Sequence, residues 1–200
     1  MMQSRHDRQR RTRPAQFREV EGEVGRKIEG YFATFSGLYE LFPGATESIA
    51  PTAFDGTLDD DIRALIDHET RLVLGRTKPG TLSLHVDDHG LWGSIDINEA
   101  DTDAMNLYHR VERGDVDQCS FGFDILDEET TENPDGTIHW TIKSVKLYEV
   151  SCVTFPAYED TSISARKDQY DQIKKRRAQA WAVKMRRRLQ HGSIAGKESK

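Results

Sequence analysis

Ser120 lies in a short segment whose residue types could support nucleophilic chemistry. Phe121, Phe123 and Ile125 alternate with small or polar residues, and this period of two predicts a strand with one apolar face. Ser120 falls on the opposite face with Gly122, whose missing side chain would leave room for a substrate backbone to approach. A serine hydroxyl becomes a useful nucleophile at neutral pH when a base takes its proton.

Two more residues could complete such a site. His68 follows the apolar run 62–66, which predicts that it is held at the end of a buried segment. Glu149 lies within residues 147–153, where both faces of the predicted strand are otherwise largely apolar. An ionised carboxylate is costly there unless it is paired with a histidine or an arginine.

A serine, a histidine and a carboxylate can act together as nucleophile, general base and orienting group. In the alternative interpretation, Glu149 forms a structural salt bridge with Arg76 or Arg71, since ion-pair networks often resemble functional sites. The pattern of residues leaves both possibilities open.

The elements that must position these residues are mostly strands. Strands are predicted at 27–35, 71–76, 81–86, 91–97, 117–126, 137–142 and 145–154. The last of these is apolar on both faces, which predicts a central strand. A helix is expected over 101–113, with Asp101 as its N-cap and Gly114 at the C′ position. Many short strands with one main helix favour a β-rich barrel or sandwich of the α+β class.

The formal net charge of −6 is distributed unevenly along the 200 residues. Residues 1–18 carry +5, residues 19–165 carry −20 and residues 166–200 carry +9. The acidic centre argues against a DNA-binding surface on the core. We expect a basic, disordered N-terminal tail over 1–25, a folded domain over 26–166 and a basic, helical C-terminal extension over 167–200.

The remaining composition excludes several classes of protein. No apolar run approaches the roughly 18 residues that a spanning helix needs, so no membrane span is expected. The basic N-terminus lacks the apolar region of a secretory signal. Cys119 and Cys152 lie in apolar strand-like segments and are predicted to be reduced core residues of a cytosolic protein, in preference to a disulfide.

A metal site is suggested by His85 and His89 with Asp87 and Asp88 between them. The spacing of the two histidines suits a helix, whereas residues 87–90 are predicted to form a hairpin turn. We therefore expect neither a metal nor a cofactor.

Several motifs follow one another in order along the chain. They are IEGYFATF from residue 28, IAPTAF from 49, ALIDHE from 64, LGRT from 74, GTL from 80, RGDV from 113, CSFGF from 119 and LYEVSCVTFPAY from 147. Together they resemble the prohead (capsid maturation) serine proteases of tailed phages, the HK97-type family, over about residues 26–166.

The resemblance implies a β-barrel core like that of the herpesvirus assemblin proteases, with a few flanking helices and the basic C-terminal helix. It also implies the chain order histidine, serine, third member, with His68 as general base, Ser120 as nucleophile and Glu149 as the third member. The herpesvirus enzymes use a second histidine as the third member, so His139 is an alternative to Glu149, and Asp124 is another.

The oxyanion of an acyl-transfer intermediate needs nearby hydrogen-bond donors. We expect the oxyanion to be bound by the amide of Gly122 or by a backbone amide near Arg76.

The function implied is that of a serine endopeptidase, acting inside the prohead in the host cytoplasm on the scaffold segment of the major capsid protein and on itself. A homo-oligomer is expected, and nucleic acid would be bound only through the basic tails. The extension 167–200 would be a targeting or scaffold-binding segment removed by self-cleavage. The alternative function is a non-enzymatic capsid scaffold or assembly factor that acts through its tails.

Overall fold

The computed structural model describes residues 9–14, 17–21, 25–155 and 160–195. Its elements are β1 (Gln9–Pro14), β2 (Arg18–Glu21), β3 (Arg26–Thr34), β4 (Tyr39–Phe42), β5 (Ala45–Ile49), β6 (Arg63–Ile66), β7 (Glu69–Arg76), β8 (Leu82–Val86), β9 (Gly90–Asp96), α1 (Thr102–Glu112), β10 (Gln118–Glu132), β11 (Ile138–Val153) and α2 (Asp160–Ala195). This order confirms a β-rich α+β chain.

A long antiparallel hairpin of β10 and β11 forms the centre of the larger sheet. These strands have 15 and 16 residues and meet at a turn that ends with Gly136, whose backbone is left-handed with a φ of 88°. The sheet has the order β1-β10-β11-β5-β4. On the far side of β11, β5 pairs in parallel with residues 138–142 and β6 pairs in parallel with residues 149–152. The predicted central position of β11 is therefore confirmed.

The second sheet has the order β2-β3-β9-β8 and is antiparallel throughout. Inward-facing residues of both sheets form the main core, to which Phe32, Leu91, Ile95 and Phe121 contribute fully buried side chains. The described strands thus form two open sheets, and the closed barrel stays a prediction.

Helix α1 forms because its sequence supplies both ends and one apolar face. The Asp101 carboxylate accepts hydrogen bonds from the amides of Asp103 and Ala104, which caps the N-terminus as expected. Gly114 follows the C-cap with a φ of 77°, the left-handed conformation that favours glycine. The helix buries Ala104, Leu107, Tyr108 and Val111 in the main core.

The start of α2 packs on the outer end of the hairpin. Ile173 joins Ala45, Ile138 and Trp140 in a second apolar cluster, and Tyr170 packs against it. Further along, Trp181 is 64% exposed. The predicted extension therefore begins within α2, which starts at Asp160. The domain boundary predicted at residue 166 lies inside this helix.

The N-terminal segment differs from the expectation of a disordered tail over 1–25. Gln9–Pro14 forms β1 on the edge of β10, and Arg18–Glu21 forms β2 on the edge of β3. The physical reason is that Arg11 lies in a buried ion pair with Glu47, a partner that charge alone does not reveal. The parts of this tail at 1–8, 15–16 and 22–24 lie outside the described residues.

Three smaller expectations can be compared directly with the fold. Cys119 and Cys152 are free and buried, and burial raises the pKa of the Cys152 thiol well above its usual range. The strand predicted at 117–126 is longer than expected, because β10 continues to Glu132. No helix within the described ranges is long and apolar enough to cross a membrane.

Candidate active site

Ser120 lies on β10, between two neighbouring strands of the larger sheet. It pairs with Ser151 on β11 and with Thr12 on β1. The residue is fully buried, and its Oγ has no hydrogen-bond partner among the described residues. Because buried hydroxyls normally find a partner, this atom calls for an explanation.

His68 occupies a two-residue hairpin turn between β6 and β7. Asp67 and His68 have φ values of 47° and 61°, the left-handed backbone that this tight turn requires. Aspartate adopts this conformation more readily than most residues. The Asp67 carboxylate also accepts hydrogen bonds from the Thr154 amide at 2.7 Å and from its Oγ1 at 3.2 Å. The turn is thereby attached to the chain just beyond the end of β11.

Glu149 on β11 connects the histidine to the sheet. Its Oε1 lies 2.7 Å from His68 Nδ1, and its Oε2 accepts a hydrogen bond from Ser151 Oγ at 2.6 Å. A carboxylate can only accept, so Nδ1 of His68 carries a proton, and in the neutral imidazole Nε2 then has the free lone pair. Nε2 is buried and has no hydrogen-bond partner in the described part of the chain.

Gly122 makes room for this carboxylate. It pairs with Glu149 across the β10–β11 ladder, and a Cβ at position 122 would overlap the Glu149 side chain, including Oε1. The space beside Gly122 therefore holds the Glu149 carboxylate. The expectation that this space admits a substrate backbone is wrong on this face of the strand.

Four residues, Ser120, His68, Glu149 and Ser151, form a buried polar patch within a largely apolar core. Glu149 and Ser151 are 4% and 0% exposed, and the His68 side chain is 7% exposed. An orienting carboxylate, a histidine with a free nitrogen and a serine without a partner are the components that nucleophilic catalysis requires. The hydrogen bond between serine and base is absent from the described contacts, as is common in proteases without a bound substrate.

The alternative salt bridge from Glu149 to an arginine is not formed. Arg76 instead binds Asp61 through two hydrogen bonds of 2.6 and 2.5 Å, and this guanidinium lowers the pKa of Asp61 to about 2. Arg71 lies 3.6 Å from Glu69 at the exposed surface. Of the two partners that the sequence allowed for Glu149, the structure therefore selects the histidine.

The two alternative third members lie elsewhere. His139 lies near the start of β11, and its two ring nitrogens form hydrogen bonds with Thr46 Oγ1 at 2.8 Å and Ser48 Oγ at 2.9 Å. Asp124 accepts a hydrogen bond from the Tyr148 hydroxyl at 2.8 Å. Neither side chain has a described contact with His68.

The expected oxyanion donors differ in availability. The Arg76 amide donates to Thr81 Oγ1 at 3.0 Å, so it is already engaged. Gly122 is part of the strand ladder described above. The assignment of oxyanion donors therefore stays a prediction.

Sequence reasoning missed three supporting residues, namely Ser151, Asp67 and Thr154. A signal for Ser151 was present, because residues two apart on a strand share a face and Ser151 follows Glu149 at that spacing. The contact between Asp67 and Thr154 joins residues 87 positions apart, so local sequence could not indicate it.

The segment around His85 and His89 forms the predicted hairpin between β8 and β9. Asp87 accepts hydrogen bonds from the amides of His89 and Gly90 and from the Tyr31 hydroxyl. Its oxygens are thus occupied by the turn. Within the described residues, no group of three potential metal ligands is found.

A model of the family described as caudovirus prohead serine protease matches residues 13–176, which include the whole of this patch. The chain therefore belongs to that family, as its ordered motifs indicated.

Two individual proteins are similar to it. The chain is 27% identical to the prohead protease of Enterobacteria phage HK97 over 148 residues, which cover 72% of this chain and 63% of the relative. It thus spans less than two thirds of that relative's length. The structure of the bacteriophage T4 capsid assembly protease is similar over 73% of this chain and 96% of the other, with a TM-score of 0.46 and 10% identity.

Proposed function

We propose that this protein is a serine endopeptidase of phage capsid maturation, with Ser120 as nucleophile, His68 as general base and Glu149 as the orienting carboxylate. The observation that carries the proposal is the buried 2.7 Å contact between His68 Nδ1 and Glu149 Oε1, which directs the free nitrogen of the imidazole away from the carboxylate. Membership of the prohead protease family supports the same reaction class.

In the proposed reaction, Ser120 Oγ attacks the carbonyl carbon of a peptide bond while His68 Nε2 takes the hydroxyl proton. Glu149 stabilises the imidazolium through its bond to Nδ1. When the C–N bond breaks, Nε2 returns the proton to the leaving amine. A water molecule then hydrolyses the acyl-enzyme, with His68 again acting as base. Ser151 holds the second carboxylate oxygen throughout.

The substrate we propose is the scaffold segment of the major capsid protein, cleaved inside the prohead in the host cytoplasm, together with the protease itself. We further propose a homo-oligomer, a barrel core related to the assemblins and a catalytic domain at 26–166, to which β1 and β2 add edge strands. The extension 167–200 then serves as a targeting or scaffold-binding segment. Among its described residues, up to residue 186, the exposed basic side chains suit acidic partners.

The proposal is tested by co-expressing wild type or Ser120→Ala with the neighbouring capsid protein and measuring intact masses. We expect wild type to shorten the capsid protein or itself, and Ser120→Ala to leave both intact, because loss of the nucleophile costs about 10⁶ in kcat in serine proteases. Ser83→Ala, on the exposed face of β8, is the matched control and should behave as wild type. Equal masses for wild type and Ser120→Ala, with assembly intact, would reject the protease and favour the scaffold role.

A further inference from the structure

Strand β1 runs directly beside the nucleophile strand. It pairs antiparallel with residues 118–123 of β10, and Thr12 lies opposite Ser120 in the register. The other edge of β10 is occupied by β11. If β1 were absent, residues 118–123 would therefore present an open strand edge next to Ser120.

An open edge of this kind is a common binding site for extended peptides. The added peptide forms main-chain hydrogen bonds with the edge strand, which tolerate many sequences, and side-chain pockets add selectivity. An endopeptidase must hold an extended segment beside its nucleophile. The edge of β10 meets this requirement because it contains Ser120 itself.

Access to Ser120 is closed in the present arrangement. Ser120 is 0% exposed, and both its Oγ and the Nε2 of His68 are buried without a hydrogen-bond partner among the described residues. A peptide from another molecule cannot reach these atoms until a covering segment moves. β1 is a six-residue strand at the edge of the sheet, and most of it precedes residue 13, where the match to the protease family begins.

A buried ionic cluster holds β1 in place. Arg11 binds the Glu47 carboxylate through Nε at 2.5 Å and Nη2 at 3.0 Å, and Arg166 of α2 binds the same carboxylate at 2.8 Å. Arg166 also lies 2.7 Å from Glu128 and over the ring of Trp140. The N-terminal strand and the C-terminal helix thus share one anchor, since both arginines bind Glu47.

We propose that the β10 edge over residues 118–123 is the substrate-binding site, that its ligand is an extended peptide strand, and that Gln9–Pro14 fills it as an internal occupant which must leave before a substrate enters. A substrate that replaces β1 runs in the same direction, so its N-terminal side lies along Phe123 and its reactive bond lies beside Ser120. This inference rests on the proposed protease function.

The first test locks β1 to the edge. Position 14 lies opposite Gln118 in the register, so the double variant Pro14→Cys/Gln118→Cys can form a cross-strand disulfide that reduction reverses. Labelling of Ser120 by a biotinylated fluorophosphonate is followed by intact mass, with Ser120→Ala as the blank. We expect labelling of the oxidised form to be at least about tenfold slower than that of the reduced form, because the open state becomes inaccessible.

Wild type treated with the same oxidant is the control for the native cysteines, which are buried. Equal labelling rates in the oxidised and reduced double variant would overturn the inference while leaving the protease proposal intact. Failure to label wild type at all would count against Ser120 as a reactive nucleophile. Whether the β10 edge binds a peptide is then decided by the second test.

The second test needs no catalysis. Thr12→Pro removes a strand donor and weakens β1, and it is combined with Ser120→Ala. A synthetic peptide that copies residues 7–16 is the probe, and amide hydrogen exchange of 118–123 is the readout. We expect the peptide to slow exchange there in the double variant and to have no effect on Ser120→Ala alone. A folded double variant whose exchange is unchanged by the peptide would overturn the inference.

Discussion

The identity of the third catalytic member can be decided at the level of single side chains. Glu149 contacts His68, whereas His139 is engaged with Thr46 and Ser48. We therefore expect Glu149→Gln to lower kcat by about 10⁴, because the amide no longer favours the correct tautomer and charge of the base. His139→Gln should leave kcat within about twofold, since it retains polar atoms at a site remote from the reaction.

Steady-state cleavage of a capsid-protein peptide by both variants measures this difference. Glu69→Gln is a suitable control, because Glu69 is near His68 in sequence but its side chain is 55% exposed. A larger loss in His139→Gln than in Glu149→Gln would transfer the orienting role to His139.

Gly122 offers a second test at the same scale. A methyl group at this position would overlap the Glu149 carboxylate, so Gly122→Ala should displace that side chain from His68. We expect activity to fall by at least about 100-fold, as catalysis is sensitive to shifts of about 1 Å, and the free energy of unfolding to fall by about 1–3 kcal/mol from overpacking. Gly136→Ala, in the exposed turn between β10 and β11, is the control: it strains a left-handed glycine and should lower stability without lowering activity. Unchanged activity in Gly122→Ala would show that the carboxylate position is not needed.

At the scale of elements, the sequence best predicted the helices and strands whose ends and faces are determined by residues within the segment itself. Helix α1 was confirmed because Asp101 and Gly114 supply its ends within the segment itself. The strand around Ser120 was confirmed because its apolar residues alternate with small or polar ones. Beyond residue 126 the same strand continues with exposed acidic residues, and there no buried face remains to indicate the extension.

The order of the strands could not be predicted in this way. The turn that carries His68 is fixed by contacts of Asp67 with Thr154, and the residue opposite Glu149 is known only once the β10–β11 register is known. Sequence reasoning identified the three candidate catalytic residues through the resemblance to a family, and Glu149 also through the cost of an unpaired buried carboxylate. The contact between two of them, His68 and Glu149, could be seen only in the fold.

The turn itself supports a prediction at this scale. Asp67→Ala removes the acceptor for the Thr154 amide and places alanine in a left-handed backbone, which costs about 1–2 kcal/mol for an ordinary residue. We expect a loss of about 2–3 kcal/mol in the free energy of unfolding, measured by urea denaturation, together with reduced activity because His68 is no longer held.

Asp67→Gly is the matched variant, since glycine removes the carboxylate but not the permissive backbone. Compared with Asp67→Ala, Asp67→Gly should regain the stability lost to backbone strain, but it should not regain the stability lost with the hydrogen bonds to Thr154. Equal stability of Asp67→Ala and wild type would show that the turn is fixed by the sheet alone.

At the scale of the whole molecule, the uneven charge of the chain has a structural use. Two arginines from its basic ends, Arg11 and Arg166, meet at Glu47 inside the protein. Composition predicted a disordered N-terminal tail, because the number of positive charges does not reveal which of them are buried. The anchor joins β1, β5 and α2, and it therefore connects substrate access, as proposed above, to the docking of the C-terminal helix.

The same anchor predicts how stability depends on pH. Burial alone would raise the pKa of the Glu47 carboxyl, but the neighbouring guanidiniums of Arg11 and Arg166 outweigh it and hold the pKa below its usual range. Because the folded-state pKa is the lower one, the unfolded chain binds more protons in acid. The stabilisation is fully present above the unfolded-state pKa of Glu47 and is lost as pH falls through the folded-state value.

Glu47→Gln should therefore lose stability at neutral pH, by about 3–5 kcal/mol, because two buried guanidiniums lose this carboxylate, although Arg166 keeps its contact with Glu128. Its stability should also fall less steeply than that of wild type between neutral and acidic pH, since the titrating group is gone. Urea denaturation from pH 7 to pH 3 measures both effects, with Glu69→Gln as the exposed control. Parallel pH profiles for Glu47→Gln and wild type would show that the anchor contributes nothing to acid sensitivity, and that other carboxylates account for it.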